Sequence, residues 1–258
     1  MLTGTDLAFA GLAACAAGIV NALAGGGTLI SFPTLVAIGI PEVTANITNT
    51  VALCPGYLGG SLAQRGDLVG QGRRMWLFLP IGIIGGVTGG ILLIFVSDQV
   101  FRVLVPFLIL LASLLLAVQD RVRIWIKKLG EDRRPGIDGT TKAVIPVGFT
   151  AVYGGYFGAG QSVIVLSVLG LFLTDTLTRL NALKQCITLS SNVAAAVFFL
   201  FSGMILWPVA IVMAAGALIG GAAGGRLAGR INPDLLRWTV VVIGTIIGII
   251  FLVRLGFT

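Results

Sequence analysis

Polar residues are scarce along this chain and come in groups, so apolar residues run unbroken for a helix length or more. Eight stretches stand out: Leu7–Ile40, Ala45–Ala63, Met75–Val96, Phe101–Val118, Ala143–Leu173, Leu180–Ser202, Trp207–Gly225 and Leu235–Val253. Most are near the roughly 20 residues that a helix needs to cross a bilayer. The longest polar segment, Gln119–Lys142, divides the chain nearly in half. It reads as a connecting loop between a first membrane repeat, residues 1–118, and a second, residues 143–258.

The first stretch of each half has a different form. Leu7–Ile40 is too long for one ordinary span and is interrupted by Ala24-Gly25-Gly26-Gly27. In the second half Ala143–Gly154 and Ser162–Leu173, 12 residues each, flank a glycine-rich centre. A helix of that length rises about 18 Å, against a hydrocarbon core of about 30 Å. Each half is therefore expected to open with a re-entrant hairpin whose tip lies near the bilayer middle, or with one broken span. Three transmembrane helices follow in each half.

The halves are copies. A gapless shift of 135 residues aligns Ala24-Gly25 with Ala159-Gly160, Asn46 with Asn181 and Arg102 with Arg237. It also aligns Gly85-Gly86-x-x-Gly89-Gly90 with Gly220-Gly221-x-x-Gly224-Gly225, two small-residue faces suited to close helix packing.

Composition narrows the class. Of 258 residues 57% are hydrophobic and only 10% charged, and the mean hydropathy is +1.04. Soluble domains carry about 25% charged residues. The expectation is an all-α polytopic membrane protein whose partner is the lipid bilayer and not nucleic acid, the net charge of +7 reporting topology. No basic residue precedes the first stretch, so no cleaved signal peptide is expected.

Charge placement then chooses between hairpin and span. With three crossings per half the repeats are inverted. Arg65, Arg73, Arg74, the seven basic residues from Arg121 to Lys142, Arg179, Arg226, Arg230 and Arg237 then share one side, leaving Arg102 and Arg254 on the other. That is fourteen against two, where a crossing first stretch gives eleven against five. The positive-inside rule favours the former, with the central loop in the cytoplasm and both termini outside.

The chemistry available is limited. There is no histidine, and Cys15, Cys54 and Cys186 lack metal-ligand spacing. No acid lies deep in an expected span, so neither a metal site, a catalytic pair, a proton relay nor a cofactor is expected. Donors are more prominent. Gly25, Gly26, Gly27 and Thr28 open one half-helix, and Gly160, Gln161 and Ser162 open its mate. Such N-termini expose unpaired N–H groups and the positive end of the helix dipole, which favour an anion. Asn46 and Asn49, one turn apart, and Asn181 and Lys184 in the mate helix add side-chain donors. Interhelical bonding is the competing role for the asparagines, and extension to the interface the competing role for Lys184. Small anionic solutes are the expected ligands. The oligomeric state stays open.

The run Gly18-Ile-Val-Asn-Ala-Leu-Ala-Gly-Gly-Gly-Thr-Leu-Ile-Ser-Phe-Pro-Thr-Leu35, then Gly39-Ile-Pro41 and Ala45-Asn46, resembles the opening of the sulfite exporter TauE/SafE family. Gly154–Ser162 and the basic centre match as well, so the resemblance covers essentially the whole chain. It implies transport of sulfur-containing anions such as sulfite, thiosulfate or organosulfonates across the bacterial inner membrane. Asn21 departs from the small or apolar residue usual there. A secondary transporter with alternating access is the expected function. A passive anion channel shares the same site, and an intramembrane enzyme is the remaining alternative.

Overall fold

The computed structural model describes residues 2–23, 25–132, 139–227 and 233–256. Among them ten α-helices and no strand occur, the form that lets a chain in hydrocarbon satisfy its own backbone. The first half comprises α1 (Gly4–Leu23), α2 (Thr28–Ala37), α3 (Glu42–Ala63), α4 (Gly72–Phe95) and α5 (Asp98–Asp132), with a 3₁₀ turn at Arg65–Leu68. The second half repeats the series as α6 (Thr140–Tyr156), α7 (Gln161–Phe172), α8 (Leu177–Phe199), α9 (Trp207–Leu227) and α10 (Pro233–Gly256).

Helices α1, α4, α5, α8, α9 and α10 are long and apolar enough to cross a membrane. The protein is a multi-pass membrane protein, and Trp76, Phe95, Phe149 and Phe201 are exposed on its surface. Helix α3 has the length, 22 residues, but its buried Asn46, Thr48, Asn49 and Thr50 lower its hydropathy. One sequence expectation changes at the centre. Gln119–Asp132, expected as loop, continues α5 as helix. Val122 and Ile126, one turn apart, pack inward on that extension, and Ile126 lies where a Cβ on Gly170 of α7 would overlap it. Arg133, Arg134 and Arg230 lie outside the described residues.

The two halves interlock. Helix α1 packs on α9 as α6 packs on α4, α3 on α9 as α8 on α4, and α2 on α10 as α7 on α5. The paired-glycine faces make these seams. A Cβ on Gly86 or Gly89 of α4 would overlap the Ser191 or Val152 carbonyl oxygen, and one on Gly220 of α9 would overlap that of Cys15. Each face thus grips the other half of the chain, where bare backbone allows close dispersion contact.

Helix ends collect at two poles. At one, Arg74 at the start of α4 pairs with Asp175 before α8 at 2.5 Å, and Gly139 before α6 abuts the Phe172 carbonyl at the end of α7. Helices α6 and α7 therefore leave this pole and return to it. Arg237 of α10 and Asp120 of α5 also pair here. At the other pole Arg102 of α5 pairs with Glu42 of α3 at 3.0 Å, beside Val36 of α2 and Arg254 of α10.

Candidate functional site

Both hairpins break at glycines that reverse the chain. Gly25 and Gly26 have φ of +81° and +89°, and Gly158 and Gly160 have φ of +76° and +74°, a region that side chains disfavour. The first tip is tied to its own helix, because the Gly27 N–H donates to Asn21 Oδ1 at 2.8 Å. The second is held by the Tyr153 hydroxyl, which donates to the Ala159 carbonyl at 2.6 Å. Helix α2 has 10 residues and α7 has 12, so each rises only about 15–18 Å. Each is shorter than a hydrocarbon core of about 30 Å and begins at its glycine break.

The two tips meet. A Cβ on Gly25 would sit 3.5 Å from Ser162 Oγ, with nothing else within 4 Å. Ser162 is in the first turn of α7, and Thr28 opens α2. The N–H groups of Thr28 and Ser162 find no backbone acceptor among the described residues. Two positive helix ends from different halves therefore converge on one point. Helix α5 closes one side, with Leu116 against Gly26 and Ala112 and Leu115 against Gly160.

Each tip is also braced by the long helix behind it. Gln161 Nε2 donates to Ser191 Oγ at 2.8 Å and Asn192 Nδ2 donates to Gln161 Oε1 at 3.0 Å. In the first half the Tyr57 hydroxyl bonds the Thr28 side chain. Tyr57 and Asn192 are 135 residues apart, the repeat interval, so the same position on α3 and α8 does the same work with different chemistry. The two helices touch at this level, where Cys54 Sγ donates to the Asn192 carbonyl at 3.6 Å.

The sequence that carries these breaks is matched in known proteins over most of its length. The sulfite exporter TauE/SafE family profile covers residues 10–251. The chain belongs to that family. It is 30% identical over 227 residues to a "Probable membrane transporter protein" of Haemophilus influenzae, covering 88% of this chain and 86% of the relative. It is 25% identical over 231 residues to "Probable membrane transporter protein YfcA" of Escherichia coli K12, covering 89% and 83%. A further relative, "Probable membrane transporter protein ORF9" of Sinorhizobium sp, is 26% identical over 252 residues, covering 94% and 91%. No solved structure matches the chain.

Within this TauE/SafE chain the residues expected at one site fall at three levels. Gly25, Gly26, Gly27, Thr28, Gly160, Gln161 and Ser162 are together at the tips. Asn46 precedes Cys54 by eight residues on α3 and Lys184 precedes Asn192 by eight on α8, about 12 Å along each helix. They lie on opposite sides of the tips. Asn46 Nδ2 donates to the Tyr156 carbonyl at the end of α6, at 2.8 Å. Its Oδ1 and that of Asn49 are buried without a partner among the described residues. Toward the basic pole Lys184 Nζ donates to Asn181 Oδ1 at 2.7 Å, and Asn181 Nδ2 donates to Gln64 Oε1 at 2.8 Å. Lys184 is 9% exposed, so its ammonium stays inside the bundle.

Asn21, Tyr57 and Asn192 were not expected at the site. Asn21 is marked in sequence only as a polar residue in a small-residue run. Asn192 is marked as a polar residue within an apolar stretch, and Tyr57 only by sharing its position in the repeat. Asp175, in the turn between α7 and α8, anchors the basic pole. Burial raises its pKa, but bonds from Arg74, the Thr176 N–H and Arg179 outweigh that and hold the carboxyl below its usual value.

Proposed function

We propose that the protein is a secondary transporter of small sulfur-containing oxyanions (sulfite, thiosulfate or an organosulfonate), bound between the tips of two inverted repeats. The observation that carries this reading is the approach of Gly25 to Ser162, beside N–H groups of Thr28 and Ser162 that find no backbone acceptor among the described residues. An oxyanion with three or more oxygens accepts several N–H and O–H bonds at once, and backbone donors aligned with two helix dipoles suit a charge in a low-dielectric centre. Gly25–Thr28 and Gly160–Ser162 supply the donors. Asn46 and Asn49 line the approach from one pole, Asn181 and Lys184 that from the other. Rocking of one half against the other at the glycine seams alternates access. The basic pole faces the cytoplasm of a bacterial cell, and both termini lie outside the inner membrane.

The test is uptake into proteoliposomes, screened across sulfite, thiosulfate, sulfoacetate, taurine and chloride. Gly26→Leu and Gly160→Leu abolish uptake. Both also place a side chain at a left-handed φ against α5, so Ser162→Leu is the cleaner variant: its backbone is helical and its bulk points at Gly25. Ser162→Leu protein that melts like wild type but carries no sulfur anion supports the site. Undiminished uptake by that variant removes the tips from it, and uptake of none of the sulfur anions by wild type removes the substrate class.

A further inference from the structure

We propose that Asn46 and Asn49 of α3, together with the Tyr156 carbonyl that ends α6, hold a monovalent cation, sodium foremost, at a site separate from the tips; its service as the ion that accompanies the anion rests on the reading of the protein as an oxyanion transporter. Asn46 is 1% exposed and Asn49 2%, and the Oδ1 of each is buried without a partner among the described residues. The orientation of the Asn46 amide is fixed, because its Nδ2 donates to the Tyr156 carbonyl at 2.8 Å and two carbonyl oxygens cannot bond each other. Both atoms left over are therefore acceptors. An anion also only accepts, so it cannot satisfy them, and an amide oxygen takes no proton near neutrality. Buried polar atoms need partners, and a cation is one that serves both.

The geometry brings oxygens together. Nitrogen and oxygen of one amide are about 2.2 Å apart, so Asn46 Oδ1 lies within about 5 Å of the Tyr156 oxygen. Hard cations sit about 2.3–2.6 Å from their oxygens, so one ion bridges a pair at this separation. Tyr156 is the last residue of α6; its carbonyl has no donor from its own helix and carries the negative end of the helix dipole. Asn49 is one turn after Asn46, on the same face of α3. Phe101 packs edge-on against Tyr156 and Phe157, with ring centroids 5.7 and 6.5 Å apart, so the end of α6 is set among apolar groups. Glu42, one turn before Asn46, pairs with Arg102 at 3.0 Å, which balances that arginine's charge. Because the oxygens of the site are all neutral, one positive charge suits them better than two; calcium sites recruit carboxylates.

The other repeat shows the same oxygen meeting a cation. The shift of 135 residues sets Asn46 against Asn181 and Asn49 against Lys184. On α8 the Lys184 ammonium donates to Asn181 Oδ1 at 2.7 Å. A tethered positive charge thus satisfies the asparagine oxygen there. On α3 the residue in the lysine's place is Asn49, which brings a second orphan acceptor and no charge. A free cation completes in the first repeat what the lysine completes in the second.

Binding of radiolabelled sodium to the purified protein in detergent, with choline as the competing cation, tests this. Wild type binds one sodium ion per chain, choline does not displace it, and sodium raises the melting temperature where choline does not. Asn49→Leu keeps the volume, removes an acceptor and weakens sodium binding about tenfold or more. Asn49→Lys places an ammonium where α8 has one; it abolishes sodium binding and melts alike in sodium and in choline. Wild type with no sodium bound above the choline level overturns the proposal, as does undiminished binding in both Asn49 variants. Reconstitution into vesicles separates this site from the tips. Uptake of a sulfur anion that is equally fast in sodium and in choline, with no sodium bound, overturns the cation site and leaves the tip site standing. Bound sodium that is lost in Asn49→Lys, in a protein that carries no sulfur anion, leaves the cation site standing and overturns the tip reading.

Discussion

Asn21 illustrates how one side chain holds a tip in place. Its Oδ1 accepts from the Gly27 N–H, an orphan donor at the first turn of α2 that is only part-buried. Asn21→Leu keeps the volume and removes the acceptor. The expected loss is about 1 kcal/mol, typical of an uncapped helix start, read as a lower melting temperature together with slower uptake. Unaltered uptake would mean the tip keeps its shape without this bond. Gln161 carries more, because its amide satisfies both Ser191 and Asn192. Gln161→Leu removes both bonds, leaving Ser191 Oγ and Asn192 Nδ2 with their bonds to the Thr188 carbonyl, at about 1 kcal/mol for each bond lost. That variant should melt below Asn21→Leu.

Among the elements, the two paired-glycine faces make a prediction that distinguishes adjacent residues. A Cβ on Gly220 would overlap the Cys15 carbonyl, whereas one on Gly221 meets nothing within 4 Å. Gly220→Ala should therefore push α9 off α1 and reduce the yield of monodisperse protein, and Gly221→Ala should be tolerated. Equal behaviour of the two would contradict the seam. The Asp175 anchor carries a pH dependence. Its carboxyl is held below the usual value by Arg74, Thr176 and Arg179 once burial is overcome. The stabilisation is complete above the unfolded pKa of about 4 and disappears as pH falls through the lower folded value. Asp175→Asn should cost about 2 kcal/mol near neutrality. The difference from wild type should vanish in acid, as followed by thermal melting against pH.

For the whole molecule, the poles define a topology that can be measured. Arg65, Arg73, Arg74, Lys142 and Arg179 lie at or near helix ends of the Asp175 pole, and Arg102 and Arg254 lie at the other. Reporter fusions should place the C-terminus outside and the Gln119–Lys142 segment in the cytoplasm. Cytoplasmic signals from both would rule out three crossings per half. Interlocking also has a consequence for assembly. Because α1 packs on α9 and α6 on α4, each half completes the other's hairpin seam. The halves expressed as separate chains should be recovered only when made together.

Much of this architecture is legible in the sequence because hydrocarbon enforces it locally. Apolar length marks the spans, glycine marks the breaks, and duplication makes each half a check on the other. Periodicity failed over Gln119–Asp132, where charged residues conceal an inward row including Val122 and Ile126; that row becomes visible only once α7 and α8 are present to cover it. The donors at the tips could be named from their residue types. Their grouping could not, because it depends on where helices cross. Eight residues of helix separate Lys184 from Asn192, about 12 Å, and that rise moves a charge expected at the tips to a level of its own. The sequence alone thus determined the membrane class, the duplication and the chemistry of the donors, all of which are properties of short segments and their solvent. The tertiary structure decided which donors meet, which half each glycine face grips, and that Lys184 stays buried against Asn181, because contacts between distant segments depend on helix register and crossing and not on local composition.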